Sequence, residues 1–340
     1  MSVYRTAQVA TAGGPFEIVE REVPQPGPGH VRVAVEACGV CHSDSLFVNG
    51  GLPGVRFPVV PGHEIAGRIE ELGAGAENAW QVGDRVAVGW FGGSCGHCTP
   101  CRQGDFVVCR YLKVPGWAYD GGYAETVVAP VDSLARIPDA LAAADAAPMA
   151  CAGVTTYNGL RRSSARPGDL VAVLGIGGLG HLGVQYAAAM GFETVAIARG
   201  AAKADFAKEL GAHHYVDSTA DTPVADALQA LGGAKAVLAT AANSEAISAT
   251  VDGLSPRGEL VVIGVDPEPL AISPAQLIMS GKVVRGHASG TAQDVQDTLA
   301  FSALHGIRPM TETVPLDAVD EAYRKMMSGA ARFRMVLTTR

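Results

Sequence analysis

The sequence contains no apolar run approaching the length of a bilayer span, and Met1 to Gln8 lack the charged-then-apolar order of a secretory signal. No membrane-spanning helix is expected, and a cytoplasmic location is the expectation. Positive charge is also scarce: 26 Lys and Arg against 34 Asp and Glu give a formal charge of -8. Nucleic-acid grooves and anionic membrane surfaces need clustered cations, so neither is an expected partner. Small molecules and further copies of the chain are. Cysteine is sparse, and its count of seven would leave one thiol over in any complete disulfide scheme. Six of the seven have neighbours or spacings that suit metal better. No repeat of solenoid period and no low-complexity linker interrupts the chain. What is present is ample for two domains with real cores: 340 residues, 48% hydrophobic and 18% charged. The domains are expected to join through packed segments, with a cleft between them.

From Met1 to about Gly89, short runs alternate apolar and polar residues, as in Val31-Arg32-Val33-Ala34-Val35-Glu36 and Asp84-Arg85-Val86-Ala87-Val88. Dense turn signals separate them, among them Pro24 to Gly29, Asn49-Gly50-Gly51, Pro61-Gly62 and Val82-Gly83-Asp84. A strongly bent sheet or barrel follows. A cysteine-rich stretch from Gly92 to Arg110 interrupts it like an insertion, and Gly121 to Val128 resumes it. After the alanine-rich segment Leu141 to Ala152 the character changes. Leu170 to Leu174, Thr194 to Ile197, Ala236 to Thr240, Glu259 to Ile263 and Lys282 to Arg285 suit parallel strands. Leu179 to Met190, Ala202 to Leu210, Asp221 to Leu231 and Ser244 to Asp252 have helical length and pattern. Such alternation predicts a doubly wound sheet. From about Ser289 the tail returns to mixed structure and ends on a strand pattern, Phe333 to Thr338, that packs back on the first domain.

Three constellations carry chemistry. In Cys95-x2-Cys98-x2-Cys101-x7-Cys109, glycines at 92, 93, 96 and 104 let the chain wrap an ion. Four thiolates at this spacing suit a closed tetrahedral zinc site that contributes folding energy, with an iron-sulfur cluster and two disulfides as competing readings. A second set, Cys41, His63-Glu64 and Cys151, is dispersed. A catalytic zinc takes three protein ligands and leaves one position open, although each of these residues also reads as an ordinary buried thiol or hydrogen-bonded histidine. The third is Leu170 to Leu174 running into Gly175-Ile176-Gly177-Gly178-Leu179-Gly180, a strand, a G-x-G-x-x-G turn and a helix. There Gly175 makes the tight turn, Gly177 lets the backbone approach a pyrophosphate, and Gly180 lets the helix lie close on the sheet. At the end of the next strand stand Ala198 and Arg199, where an NAD site would place an acidic residue. Absence of the carboxylate and presence of a cation suit NADP(H); a solvated Arg199 with relaxed preference, and hence NAD(H), is the alternative.

Taken together with Cys41-His42-Ser43-Asp44, Pro61 to Gly67, Val82 to Val86, Asp120 to Glu125 and Cys151-Ala152-Gly153-Val154-Thr155, these motifs cover nearly the whole chain. The sequence resembles the zinc-dependent alcohol dehydrogenases of the medium-chain dehydrogenase/reductase superfamily. The resemblance implies a GroES-like β-rich catalytic domain over residues 1–152 with a structural-zinc lobe at about 92–110, a Rossmann domain over 153–288, and a return to the catalytic domain over 289–340. It also implies two zinc ions per chain, one catalytic and one structural. Cys41, His63 and Cys151 match the catalytic ligands, Cys2His being the established ligand set of alcohol dehydrogenase; Glu64 matches a nearby carboxylate that can approach the metal. Asp44 matches the carboxylate that orients His63, and Ser43 the hydroxyl that takes the alcohol proton. His42 and Arg334 match positions at the cofactor pyrophosphate, Thr155 one near the nicotinamide, and Leu52 and Trp90 substrate-pocket positions of yeast-type enzymes. Zinc would then activate the alcohol oxygen for hydride transfer to the nicotinamide.

Departures and alternatives sharpen the reading. Family members commonly carry a histidine three residues beyond the hydroxyl; here that position is Leu46, which cannot relay a proton. Polyol dehydrogenases of the superfamily often use Glu as the third ligand, and Cys151 counts against that reading. A non-catalytic zinc-binding protein is opposed by the intact glycine turn. Relatives with both zincs are often tetramers, so a homo-oligomer is expected, tetramer before dimer. Cys38 reads as a buried thiol, and His213-His214 as the start of a strand.

Overall fold

Strands form where the sequence alternates. β1 (Val3–Val9) pairs antiparallel with β2 (Phe16–Glu22) as a two-stranded ribbon. β3 (His30–Val40) buries Val31, Val33 and Val35 on one face and, from Ala37 onward, buries every residue. Around it lie β4 (Ile65–Leu72), β5 (Arg85–Val88), β6 (Thr126–Pro130) and β7 (Leu134–Arg136). The first half of β3 pairs with β6 along one edge, while β4 runs along the other. This computed structural model describes residues 2–339, and they fall into two units, 2–154 with 289–339, and Thr155–Ala288.

In the second unit β8 (Leu170–Leu174), β9 (Glu193–Ala198), β10 (His214–Asp217), β11 (Ala234–Ala239), β12 (Leu254–Val262) and β13 (Val283–Gly286) form a parallel sheet in the order β10-β9-β8-β11-β12-β13. That is the dinucleotide-binding order, two halves diverging from β8. All five residues of β8 are buried, as a strand covered on both faces requires. Helices fall where the sequence pattern places them, for example Gly180–Ala189 and Val224–Ala230.

The chain then returns to the first unit. A 14-residue helix, Ala292–His305, starts on a reciprocal capping box between Thr291 and Asp294 and stops at left-handed Gly306. The T-x-x-D signal and the following glycine were present in the sequence, within the tail read only as mixed structure. β14 (Thr311–Pro315) and β15 (Arg334–Thr338) complete the sheet β14-β15-β3-β4-β5-β7. β15 runs antiparallel to the second half of β3, pairing Met335 with Val40 and Leu337 with Cys38. Its first residue therefore stands beside the segment that leads into Cys41. The core beneath joins Val33, Val35, Val40, Ile65, Ile69 and Val88 to Leu316, Met335 and Leu337, each worth about 1.5–3 kcal/mol of apolar burial. The segments on either side of the parallel-sheet unit are thus one structure. Among the described residues no helix is long and apolar enough to cross a membrane.

Candidate functional site

β3 ends at Val40, and the chain turns at once into Cys41-His42-Ser43 and the short helix Asp44–Val48. The turn is fixed by its own carboxylate: Cys41 N donates to Asp44 Oδ2 at 2.9 Å. Asp44 is fully buried and takes three further donors, Tyr123 Oη to Oδ2 at 2.9 Å, and His63 Nδ1 at 2.8 Å and Gly62 N at 3.3 Å to Oδ1. With Nδ1 committed to Asp44, Nε2 is the nitrogen His63 has left, and that buried atom has no hydrogen-bond partner. One ligand atom each from Cys41, His63, Glu64 and Cys151 lies within 4.8 Å of all the others. An orphaned imidazole nitrogen facing two sulfurs and a carboxylate is the donor set of a zinc site, so the residues fit the ion.

The charges in this pocket are interdependent. The Cys151 thiol donates to Cys41, and that bond, with His63 and Arg334 nearby, holds Cys41 well below the usual thiol range; Cys151 is pushed well above it. Burial alone would depress His63, but the Asp44 and Cys41 anions outweigh it and raise its pKa well above the ordinary value. Burial pushes Glu64 up to about 7 against the pull of Arg334. Arg334, 4% exposed, places Nη2 2.5 Å from Glu64 Oε1 and leaves Nε without a partner. Glu64 Oε2 is likewise unpartnered, in space that exists because residue 39 is glycine: a Cβ there would lie 1.9 Å from it.

The cysteine-rich lobe makes a separate, closed cluster. Its sulfurs are 3.4 Å (Cys98 to Cys101), 3.6 Å (Cys95 to Cys109) and 3.8 Å (Cys98 to Cys109) apart. A disulfide would be about 2.05 Å, and all seven cysteines are free. A tetrahedron of sulfurs at about 2.3 Å from one zinc has edges of roughly 3.8 Å, which is the arrangement seen. Backbone N–H groups of Cys98, Cys95 and Tyr111 point at Cys95 and Cys109 sulfurs at 3.3–3.4 Å, as thiolates prefer. The Cys101 N–H helps lower Cys98 to about 6, whereas burial and adjacent sulfurs raise Cys101 to about 11.

In the other unit the glycine turn has the shape a dinucleotide needs. Gly175 adopts φ 93°, a Cβ on Gly180 would lie 1.7 Å from Gly175 O, and Gly177 has no atom within 4 Å of where its Cβ would be. The first two constraints pack helix on strand; the third leaves an open approach to the helix Gly180–Ala189. Gly178 and Leu179 lie between, with Leu179 at the helix N-cap.

Comparison with known proteins agrees with this geometry. Residues 27–139 match the alcohol dehydrogenase GroES-like domain and residues 178–303 the zinc-binding dehydrogenase family. Alcohol dehydrogenase patD of Penicillium expansum is 42% identical over 337 residues, covering 99% of this chain and 98% of the relative. The chain belongs to the zinc-dependent alcohol dehydrogenases of the medium-chain dehydrogenase/reductase superfamily. Among solved structures, a cinnamyl alcohol dehydrogenase from Sorghum bicolor superposes with a TM-score of 0.88 at 29% identity, covering 99% of this chain and 98% of that one. The CAD of Helicobacter pylori, complexed with NADP(H), gives 0.87 at 28%, with the same coverage.

In this dehydrogenase the remaining expected residues take distinct places. Ser43 is half-buried at the N-cap of the helix Asp44–Val48, yet its side chain makes no capping bond, which leaves Oγ for another partner. His42 is exposed, and Thr155 is buried in the parallel-sheet unit. Arg334, expected at the pyrophosphate, lies on Glu64. The Trp90 ring stands edge-on to His63 at 5.0 Å and stacks on Phe47 at 5.9 Å. Leu52 packs in the same apolar cluster, with Phe57 and Trp117. Ala198 is buried at the end of β9 and Arg199 is exposed beyond it. Sequence reasoning missed three contributors. Tyr123 sits inside the motif Asp120 to Glu125 and reaches Asp44; Gly39 makes room for Glu64; Trp117 joins the apolar wall, where Nε1 donates to Pro53 O at 3.2 Å. Only the first had a signal, its place within a quoted motif.

Proposed function

We propose that this alcohol dehydrogenase interconverts apolar or aromatic alcohols with their aldehydes or ketones, using NADP(H) in preference to NAD(H). The observation that carries the reaction is the four-atom cluster of Cys41, His63, Glu64 and Cys151 under an aromatic wall. Cys41, His63 and Cys151 would hold the catalytic zinc with Glu64 in reserve, and Cys95, Cys98, Cys101 and Cys109 a structural one. When bound, zinc supplies a Lewis acid for the substrate oxygen and the nicotinamide supplies the hydride acceptor or donor. The chain's own residues do the rest. Asp44 fixes the His63 tautomer and ring plane, and Ser43 Oγ, free of capping duty, takes the hydroxyl proton. Leu46, 39% exposed, stands where a second imidazole would carry the proton on and has no group to do so, so the proton leaves Ser43 by another group or by water. Trp90 and Leu52, the first backed by buried Phe47, offer mainly apolar contact and no charged or amide side chain to hold a row of extra hydroxyls, which disfavours polyols. In this reading residues 1–152 and 289–340 are catalytic and 153–288 bind the cofactor through Gly175, Gly177, Gly178, Leu179 and Gly180, with His42 and Thr155 as further contacts.

NADP(H) preference rests on Ala198, which brings no carboxylate, and on exposed Arg199, which offers a bidentate cation to a 2'-phosphate. Steady-state kinetics test it: kcat/KM is expected to favour NADP over NAD by about tenfold, and to favour benzyl alcohol over sorbitol. Equal rates, or an advantage for NAD, overturn the cofactor assignment; efficient sorbitol oxidation overturns the substrate class. Seven thiols without a disulfide suit a reducing cytoplasm. β13 lies at an edge of the parallel sheet, with exposed Val283 in it and exposed Ile278 and Met279 shortly before it. Such an edge supports a homo-oligomer, tetramer before dimer. A monomer by light scattering would remove that proposal.

A further inference from the structure

β9 ends without a carboxylate, but one arrives from the neighbouring strand. Asp217 closes β10 as the register partner of Ala198. Its Oδ1 accepts three hydrogen bonds, from Gly200 N at 2.7 Å, Thr219 N at 2.8 Å and Thr219 Oγ1 at 2.7 Å. Tyr215 Oη donates to Gly200 O at 2.5 Å, and Ser218 N to Ala198 O at 2.9 Å. Both polar backbone groups of Gly200 are therefore held by β10, and Gly200 sits at φ 73°, a conformation that favours glycine. Arg199 stands immediately before this clamped residue, exposed and without an ion pair among the described residues. Asp217 Oδ2 takes no donor among them, so its charge is left for whatever approaches the turn.

We propose that Asp217 is a second determinant of cofactor choice, positioning the Arg199–Gly200 turn through Oδ1 and opposing a 2'-phosphate through its charge. The inference rests on reading Gly175 to Arg199 as the dinucleotide site and goes beyond it, because it moves the discriminating acid from the end of β9 to the end of β10. Thr219 and Gly200 donors favour the ionised carboxylate, consistent with a pKa below the ordinary aspartate value. A phosphate carries up to two negative charges. At separations of several ångströms in a solvated site, repulsion from one carboxylate is worth about three- to tenfold in affinity, and it fades as salt shortens the screening length. The two functions separate by substitution. Asp217→Asn keeps an acceptor oxygen for Gly200 and Thr219 and removes the charge; Asp217→Ala removes both.

Dissociation constants of NADH and NADPH, read from nicotinamide fluorescence on the zinc-loaded protein, test it without reliance on turnover. Asp217→Asn is expected to tighten NADPH relative to NADH by about three- to tenfold at low salt, with the gain shrinking in 0.5 M salt. Asp217→Ala is expected to weaken both cofactors as the turn loosens. Should that variant fail to fold, the asparagine variant alone decides. An Asp217→Asn ratio within about twofold of the parent at low salt, or a parallel change in both constants, overturns the proposal while leaving the dinucleotide site intact. A parent protein that binds neither cofactor overturns both.

Discussion

Replacing Cys41 with alanine is expected to lower kcat/KM by on the order of a thousandfold or more while the protein stays folded. The substitution removes one sulfur atom from a buried residue, a packing loss of about 1 kcal/mol. Its chemical consequence is larger. Hydrogen bonding to Cys151 and His63 holds the Cys41 thiol well below its ordinary range, against the opposing effect of burial. Without it, His63 Nε2 faces a single sulfur and Glu64, and Arg334 loses one of its counter-charges. On the proposed two-zinc reading, metal content should fall by one ion per chain, because the lobe of Cys95, Cys98, Cys101 and Cys109 is a separate cluster. Metal analysis, circular dichroism and steady-state kinetics on one preparation check all three statements. An active Cys41→Ala protein would remove the assigned site.

Asp44→Ala is expected to cost about 3–5 kcal/mol of stability. No side chain in the site serves more masters: Cys41 N, Gly62 N, Tyr123 Oη and His63 Nδ1 all lose their acceptor at once in a fully buried place. Asp44→Asn separates stability from chemistry. It retains one acceptor oxygen but removes the charge that raises the basicity of His63, and it presents an NH2 where the other oxygen received two donors, so the hydrogen bonds that fix the His63 ring are weakened. Zinc affinity at the Cys41 site should fall about 10- to 100-fold, read by chelator competition, with a smaller loss in urea unfolding. Unchanged zinc affinity in Asp44→Asn would show that Asp44 serves only the fold.

Legibility followed sequence distance. The four-cysteine lobe and the glycine turn were readable because each is a local cluster whose spacing already limits the geometry. The parallel strands were readable because a strand buried on both faces is a short apolar run. Arg334 and Glu64 are 270 residues apart, and their meeting depends on β15 pairing with β3 in one register. Tyr123 and Asp44 are 79 apart and meet because Gly121, Gly122 and Tyr123 bond the backbone of Val60, Pro61 and Gly62. Asp217 and Gly200 are only 17 apart, yet their contact needs two parallel strands aligned side by side. A motif can name residues that matter; it does not state which of them share a proton.

The order in which the polypeptide leaves the ribosome gives β15 a temporal role. When β3 and the Cys41 turn emerge, the edge that β15 will occupy is empty, and Glu64 has no guanidinium beside it. All of Thr155–Ala288 is synthesised before β15 appears, an interval on the order of ten seconds at about 5–20 residues per second. Throughout it the nascent catalytic unit carries an open strand edge over Ala37 to Val40 and a carboxylate without its counter-ion. Chaperone engagement, and vulnerability to edge-to-edge association, should concentrate in that window. Closure of the sheet is one of the late events in making this enzyme, and the chemistry waits on it.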